Sequence, residues 1–234
     1  MLKVTPAVVR FGLREAGRFI NDKLRKQPSR PLQVLEYIRD TTDRGDAQGV
    51  LQAMDEFARK RRFLMNIGDE KGLILIQALK DSAAKQVLEL GAYCGYSAVL
   101  MAQQLGAEGH LDSVEINAEY ADATRTIVEH AGLGDKVTVH TGAAADIVPK
   151  LGKQYHLVFI DHWKDKYLSD LKVIEQADAL RSGSYVVADN IGMFDASEYL
   201  DYVRHGGRYQ SSNHPAHMEY YESVADAVEI SIYQ

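Results

Sequence analysis

One stretch limits what this chain can fold into more than any other: Val87-Leu88-Glu89-Leu90-Gly91-Ala92-Tyr93-Cys94-Gly95-Tyr96-Ser97. The apolar run at 87–90 has the length of a buried strand. Gly91 and Gly95 permit a tight turn, and an Ala- and Leu-rich helical stretch opens near Ser97. Strand, glycine turn and helix in this order open a nucleotide-cofactor site in an open α/β sheet. A dinucleotide fingerprint would read G-x-G-x-x-G. Here the glycines are spaced G-x-x-x-G-x-S, and Glu89 precedes the first of them. The wider turn suits a cofactor with no phosphate to cradle.

Downstream the pattern alternates strand and helix, the rhythm of a parallel sheet. Strands are predicted at 87–90, 110–114, 136–140, 156–160 and 184–188, and two late strands at 207–211 and 228–233 have room to pair antiparallel at an edge. The fold class is therefore α/β: a Rossmann-like, mostly parallel central sheet with an antiparallel edge strand, helices on both faces and further helices at the N-terminus. Upstream, 1–30 reads as a helical extension closed by the Pro-bounded linker 27–31. Helices follow at 32–42, at 47–60 and from a cap at Asp69 to about residue 80. The expected division is an extension at 1–30 and a catalytic domain at 31–234.

The formal net charge of −6 argues against nucleic acid as a partner, because phosphate binding needs a basic face. Cys94 is the only cysteine, which excludes an intramolecular disulfide and a Cys-based zinc site. Neither a membrane span nor a secretory apolar region stands out, so a cytoplasmic location is expected. Arg10, Arg14, Arg18, Lys23, Arg25 and Lys26 alternate with Val8, Val9, Phe11, Phe19 and Ile20. A solvated helix lying on the domain is preferred to one lying on a membrane.

Ligands in such sheets sit beyond the carboxyl ends of the strands. Glu115 ends the second strand, where a carboxylate can accept both bonds from a cofactor's ribose hydroxyls. Asp161 and Asp189-Asn190 each follow an apolar strand directly. If those strands are neighbours, two carboxylates and an amide oxygen converge, and a divalent cation would relieve the repulsion. Three hard oxygen donors suit Mg²⁺ with open positions for water or substrate. Each acid taken alone reads equally well as a turn residue or helix cap. Lys164 follows Asp161 closely, and a neighbouring cation would disfavour its charged form, as a general base requires. Trp163, the only tryptophan, fits a pocket wall or a core equally. His162 suits cofactor contact or packing better than a hard metal site. With no phosphate to hold, S-adenosylmethionine is the favoured cofactor.

These residues make the chain resemble the catechol O-methyltransferases from about residue 32 onward. The resemblance is carried by Met65-Asn66-Ile67-Gly68-Asp69-Glu70-Lys71-Gly72, the stretch from Leu88 to Ser97, Asp161-His162-Trp163-Lys164-Asp165-Lys166-Tyr167-Leu168, and Ala188-Asp189-Asn190. It implies a class I methyltransferase fold with S-adenosylmethionine and Mg²⁺. It implies Asp161, Asp189 and Asn190 as metal ligands, Lys164 as general base, and Glu219 as the acid for a second substrate hydroxyl. Cofactor contacts would come from Met65, Ile67, Gly91, Tyr93, Ser97, Glu115, Ile116, Ala144, Asp161, His162 and Trp163. The acceptor would meet Phe63, Met65, Trp163, Lys164, Asn190, Met218 and Glu219. The chain departs from the family where Phe63 replaces a tryptophan, where Ala144-Ala145 replaces Ser-Gln, and where Phe194 stands near a pocket-wall proline.

The expected activity is methyl transfer from S-adenosylmethionine to one hydroxyl of a small catechol held on Mg²⁺. The alternative acceptor is another phenol, such as a hydroxycinnamoyl thioester or a flavonoid. A nicotinamide-dependent oxidoreductase is disfavoured by the glycine spacing. A base-directed N-methyltransferase is disfavoured because no Asn/Asp-Pro-Pro-aromatic follows the fourth strand.

Overall fold

The computed structural model describes residues 6–234. The first five residues of the expected extension lie outside the described residues. Nine helices lie at Pro6–Leu24 (α1), Arg30–Thr41 (α2), Ala47–Lys60 (α3), Gly68–Asp81 (α4), Tyr96–Ala102 (α5), Ala118–His130 (α6), Ala144–Leu151 (α7), Tyr167–Gln176 (α8) and Ser197–His205 (α9) among the described residues. Seven strands accompany them: Gln86–Leu90 (β1), His110–Glu115 (β2), Val137–Thr141 (β3), Tyr155–Ile160 (β4), Leu180–Ala188 (β5), Tyr209–Met218 (β6) and Tyr221–Tyr233 (β7). They form one sheet in the order β3-β2-β1-β4-β5-β7-β6. The pairs among β1 to β5 are parallel, and β7 runs antiparallel to both β5 and β6.

The apolar runs read as strands because both sheet faces are covered. Along β4, Leu157 and Phe159 point into the core shared with α2 to α6, and Val158 and Ile160 into the core shared with α7 to α9. Period-two alternation with both sides buried yields a continuous apolar sequence. The caps are local. Asp46 Oδ1 accepts from Gly49 N at 2.8 Å to start α3, and Asn117 Oδ1 accepts from Glu119 N at 3.0 Å to start α6.

Several boundaries differ from expectation. α4 begins at Gly68 without a side-chain cap; Asp69 lies in its first turn and pairs with Arg59. The helix opening near Ser97, expected to run to Leu105, stops as α5 at Ala102 because Gln104 N and Leu105 N bond three residues back, tightening the last turn. α7 and α8 were not predicted. The first is only eight residues long and carries Pro149 in its interior, so its apolar face is too short a run to be told from a loop. β6 continues past Ser211 through Pro215, which an edge strand tolerates because its unpaired side needs no donor.

The register places the site. Leu90 pairs with Ile160, Ile160 with Ala188, and Leu90 with Val114. The residues that leave these ends are Gly91, Asp161, Asp189 and Glu115, so all four emerge at one rim. Backbone bonds carry the ladder one residue further: Gly91 N to Val114 O at 2.9 Å, Asp161 N to Leu90 O at 2.9 Å, and Asp189 N to Ile160 O at 3.1 Å.

Candidate active site

The glycine turn after β1 crosses under the start of the next strand's loop. Gly91 has φ +100°, and a Cβ there would lie 2.4 Å from the carbonyl oxygen of Asp161. Only glycine satisfies both demands. Tyr93 also sits in the left-handed region at φ +50°. The Glu115 carboxylate fixes this turn. Oε2 accepts from Ala92 N at 3.2 Å and Tyr93 N at 2.9 Å, and Oε1 accepts from Asn117 N at 2.8 Å. A carboxylate offers about four acceptor positions. Three are taken by these N–H groups, and the fourth, on Oε1, is open.

Glu89 lies beneath, fully buried, and accepts from the hydroxyls of Ser97 and Ser113. Burial pushes its carboxyl up to about 7, against the pull of those two bonds. Ser97 thus spends its hydroxyl proton on Glu89 and keeps its oxygen as an acceptor. Ile116 and Met65 expose most of their side chains at this end, whereas Ala144 is buried in the first turn of α7. Ile67, expected at the cofactor, has no exposed side-chain surface and packs in the core just before α4. His162 Nε2 lies 2.6 Å from Asp170 Oδ2, its ring stacks on Tyr167, and its Nδ1 is buried with no partner.

The acceptor end is built from acids and two lysines. Lys164 Nζ donates to Asn190 Oδ1 at 3.1 Å and Tyr167 Oη at 2.5 Å, and lies 3.4 Å from Asp161 Oδ1. Its ammonium therefore stands between two of the three expected metal ligands. Asn190 takes the left-handed conformation, φ +52°, which turns its amide back toward the strand ends. Asp189 is shut off from solvent.

Lys71, which sequence reasoning did not single out, is the second cation. It has no exposed surface, and its Nζ donates to Asp189 Oδ2 at 2.8 Å, Glu219 Oε2 at 3.1 Å and Asp226 Oδ2 at 2.9 Å. Burial pulls its ammonium down, but the three carboxylates outweigh it and hold the charged form well above the lysine range. Asn190 Nδ2 also donates to Asp226 Oδ2 at 2.9 Å. Asp226, although penalised by burial, is kept below the usual carboxylate range by Lys71 and Asn190. Asp161 and Asp189 go the other way: burial raises both, and the lysines only partly offset it. Four carboxylates thus face two ammonium groups, and the two at the strand ends carry the deficit.

One more observation bears on a cation. Lys71 Nζ lies 2.8 Å from Asp189 Oδ1, yet that buried oxygen receives no well-directed hydrogen bond. Among the described residues no group of three or more His, Cys, Asp or Glu side chains is placed to hold a metal. The set formed here is two carboxylates and an amide.

Sequence could have flagged both missed residues. Lys71 shares a helical face with the buried Leu75, Ala78 and Leu79. Asp226 alternates with Val224 and Val228 along β7. A charge on such a face needs a partner.

Glu219 is buried beside Met218, and Gly68 backs it: a Cβ on Gly68, at φ +69°, would lie 2.8 Å from Glu219 Cβ. Phe63, Met193, Met218 and Val224 form a small apolar cluster next to these acids, joined by Phe11, Tyr220 and Tyr221. Trp163 is 73% exposed, which removes the core reading and leaves it, with Phe194, at the rim.

Such a rim can bind a nucleoside cofactor on the β1–β2 side and a polar aromatic acceptor on the β4–β5 side. The chain matches the O-methyltransferase family over residues 42–197. It belongs to that family, together with the catechol O-methyltransferases. The methyltransferase is 39% identical to catechol O-methyltransferase of Bos taurus over 88% of this chain and 77% of that one. It is equally 39% identical to catechol O-methyltransferase B of Danio rerio, over 88% and 79%. Solved structures share its fold. The O-methyltransferase of Bacillus cereus, in complex with SAH, aligns with a TM-score of 0.66 at 19% identity over 86% of this chain and 97% of that one. The Streptomyces achromogenes enzyme TomG, in complex with SAM, aligns at 0.67 and 20% over 79% and 89%. The methyltransferase is thus a class I Rossmann-like enzyme.

Proposed function

We propose that the chain transfers a methyl group from S-adenosylmethionine to one hydroxyl of a catechol-type small molecule, with Mg²⁺ at Asp161, Asp189 and Asn190. One observation carries the reading: an all-oxygen set at one rim holds more carboxylates than cations, and the Lys164 ammonium fills the place of a cation between Asp161 and Asn190. The donor chemistry fits a hard divalent ion. Mg²⁺ bound there would supply Lewis-acid polarisation of two adjacent hydroxyls.

The chain's own groups do the rest. Lys164, released from Asp161 and Asn190 and having given one ammonium proton to solvent, takes the proton of the reacting hydroxyl on its neutral Nζ. Glu219 accepts from the second hydroxyl, and Phe63, Trp163 and Met218 hold the ring. Glu115, the Gly91 turn, Met65 and Ile116 hold the donor so that the oxygen faces its methyl in line. The oxygen–carbon bond forms as the sulfonium carbon–sulfur bond breaks, leaving a neutral thioether. Positioning of this kind can supply about 7–11 kcal/mol. We assign this work to a domain at 31–234, with 1–30 as an extension, and place the enzyme in the cytosol. Among the described residues no helix is long and apolar enough to cross a membrane.

The test is methyl transfer to a simple catechol after EDTA treatment, with and without added Mg²⁺. Turnover restored only by Mg²⁺ supports the reading. Full turnover without a divalent ion, or none toward any ortho-diphenol despite bound S-adenosylmethionine, sinks it.

A further inference from the structure

The inner face of α1 reaches the acceptor end of the site. The Phe11 ring meets Phe63 edge-on at 4.9 Å between centroids and Tyr221 at 4.8 Å, and Phe63 and Tyr221 lie 5.8 Å apart. Three elements thus give one ring each: α1, the segment before α4, and β7. The same cluster holds Met218, next to Glu219, and Met193, whose N–H bonds Asp226 Oδ1 at 3.1 Å. Phe11 is therefore continuous with the wall that borders the acids.

The tethers of α1 end on this wall. Arg30 Nη1 donates to the carbonyl of Phe63 at 2.8 Å while its Nη2 donates to Glu15 at 2.9 Å. Arg62 Nη2 donates to Asp22 at 3.1 Å, and the Arg14 guanidinium sits 5.0 Å from the Tyr221 ring centre. Both acids of the helix, Glu15 and Asp22, are used up on this side. On the opposite side Leu13 is 72% exposed. The helix is anchored by its polar groups and Phe11, and its anchor points are the pocket wall.

We propose that α1 is the outer wall of the acceptor pocket and that Phe11 sets the length of acceptor the enzyme takes. The proposal rests on the methyl-transfer reading above. In that reading a single catechol ring lies between the acids and the Phe63–Met218 wall. A longer acceptor, carrying a second ring, must displace Phe11 or the whole of α1. Phe11 thus favours compact ortho-diphenols over extended ones.

The experiment compares kcat/KM for catechol and for a flavonoid ortho-diphenol in the full chain, with Mg²⁺, for wild type, Phe11→Ala, Phe11→Trp and Leu13→Ala. S-adenosylmethionine Kd is measured for each by calorimetry. Phe11→Ala is expected to shift the catechol-to-flavonoid ratio about tenfold toward the flavonoid, through KM, a size typical of added room in an apolar pocket. Phe11→Trp shifts it the other way. Leu13→Ala leaves it alone, and cofactor Kd stays constant throughout. A ratio within about twofold of wild type in both Phe11 variants overturns the proposal, as does an equal shift in Leu13→Ala. A general loss of order lowers both activities and leaves the ratio fixed, so it does not imitate the expected result. Wild type inert toward both phenols overturns the acceptor reading and the wall with it; an active wild type with an unmoved ratio overturns the wall alone.

Discussion

The two ends of the rim are held by opposite means. At the cofactor end a single short loop is pinned by backbone: Gly91 crosses against Asp161, and Glu115 gathers three main-chain N–H groups from its own neighbourhood. At the acceptor end the groups are side chains, and they come from distant parts of the chain. Lys71 on α4 meets Asp189 after β5, Glu219 after β6 and Asp226 on β7. The first arrangement resists change because its parts are short and hydrogen-bonded locally. The second depends on charge balance, and each lost charge leaves a buried partner uncompensated.

Mutations should separate the two ends. Lys164→Met removes the proton acceptor together with its bonds to Asn190 and Tyr167. Turnover is expected to fall about 10²–10⁴-fold while S-adenosylmethionine Kd is unchanged. A parallel loss of cofactor binding would show that the ends are not separable. Lys71→Met leaves three buried carboxylates without their cation. Denaturant unfolding should show a loss of about 3–5 kcal/mol, the range for a broken buried ion pair. A loss below about 1 kcal/mol would place Lys71 outside the charge balance.

Glu89 sharpens the comparison through pH. Its folded-state carboxyl is raised to about 7 from an ordinary 4.5. The folded state therefore holds a proton that the unfolded state has released. This contribution is full below about pH 4.5, is lost as pH rises to about 7, and amounts to about 3 kcal/mol. Glu89→Gln should flatten that part of the stability profile, and an unchanged profile in chemical denaturation would refute the assignment. The smallest effect is expected at Glu115→Gln, where weaker acceptance of three N–H bonds should loosen the turn. Cofactor affinity should drop roughly tenfold, about 1.4 kcal/mol, with kcat at saturation retained.

This contrast also explains what could be read before folding. The cofactor end was legible because each determinant carries its own local signal: Gly91 and Gly95 announce a turn, and Glu115 a strand end. Asp161, Asp189 and Asn190 were legible as strand-end residues, and their convergence depended on β4 and β5 being neighbours, which the register supplies. Lys71 and Asp226 were not read, since the pairing joins residues far apart in the chain and no local pattern names the partner. For Ile67 the motif position carries a likeness in sequence but not the depth at which its side chain is buried. α7 escaped because it is eight residues long and an internal proline argues against a helix.

β7 is the last strand in the chain, yet it lies between β5 and β6. It therefore carries a consequence for assembly as the polypeptide leaves the ribosome. β6 has no sheet neighbour until β7 arrives, and Lys71, made long before, waits for Asp226 to complete its ion cage. Contacts of such wide separation close late and slowly. A nascent chain stalled before β7 would have a finished cofactor loop and an unbalanced lysine in its interior. The loop after β1 is born early, and the ion cage around Lys71 is closed only by the last strand.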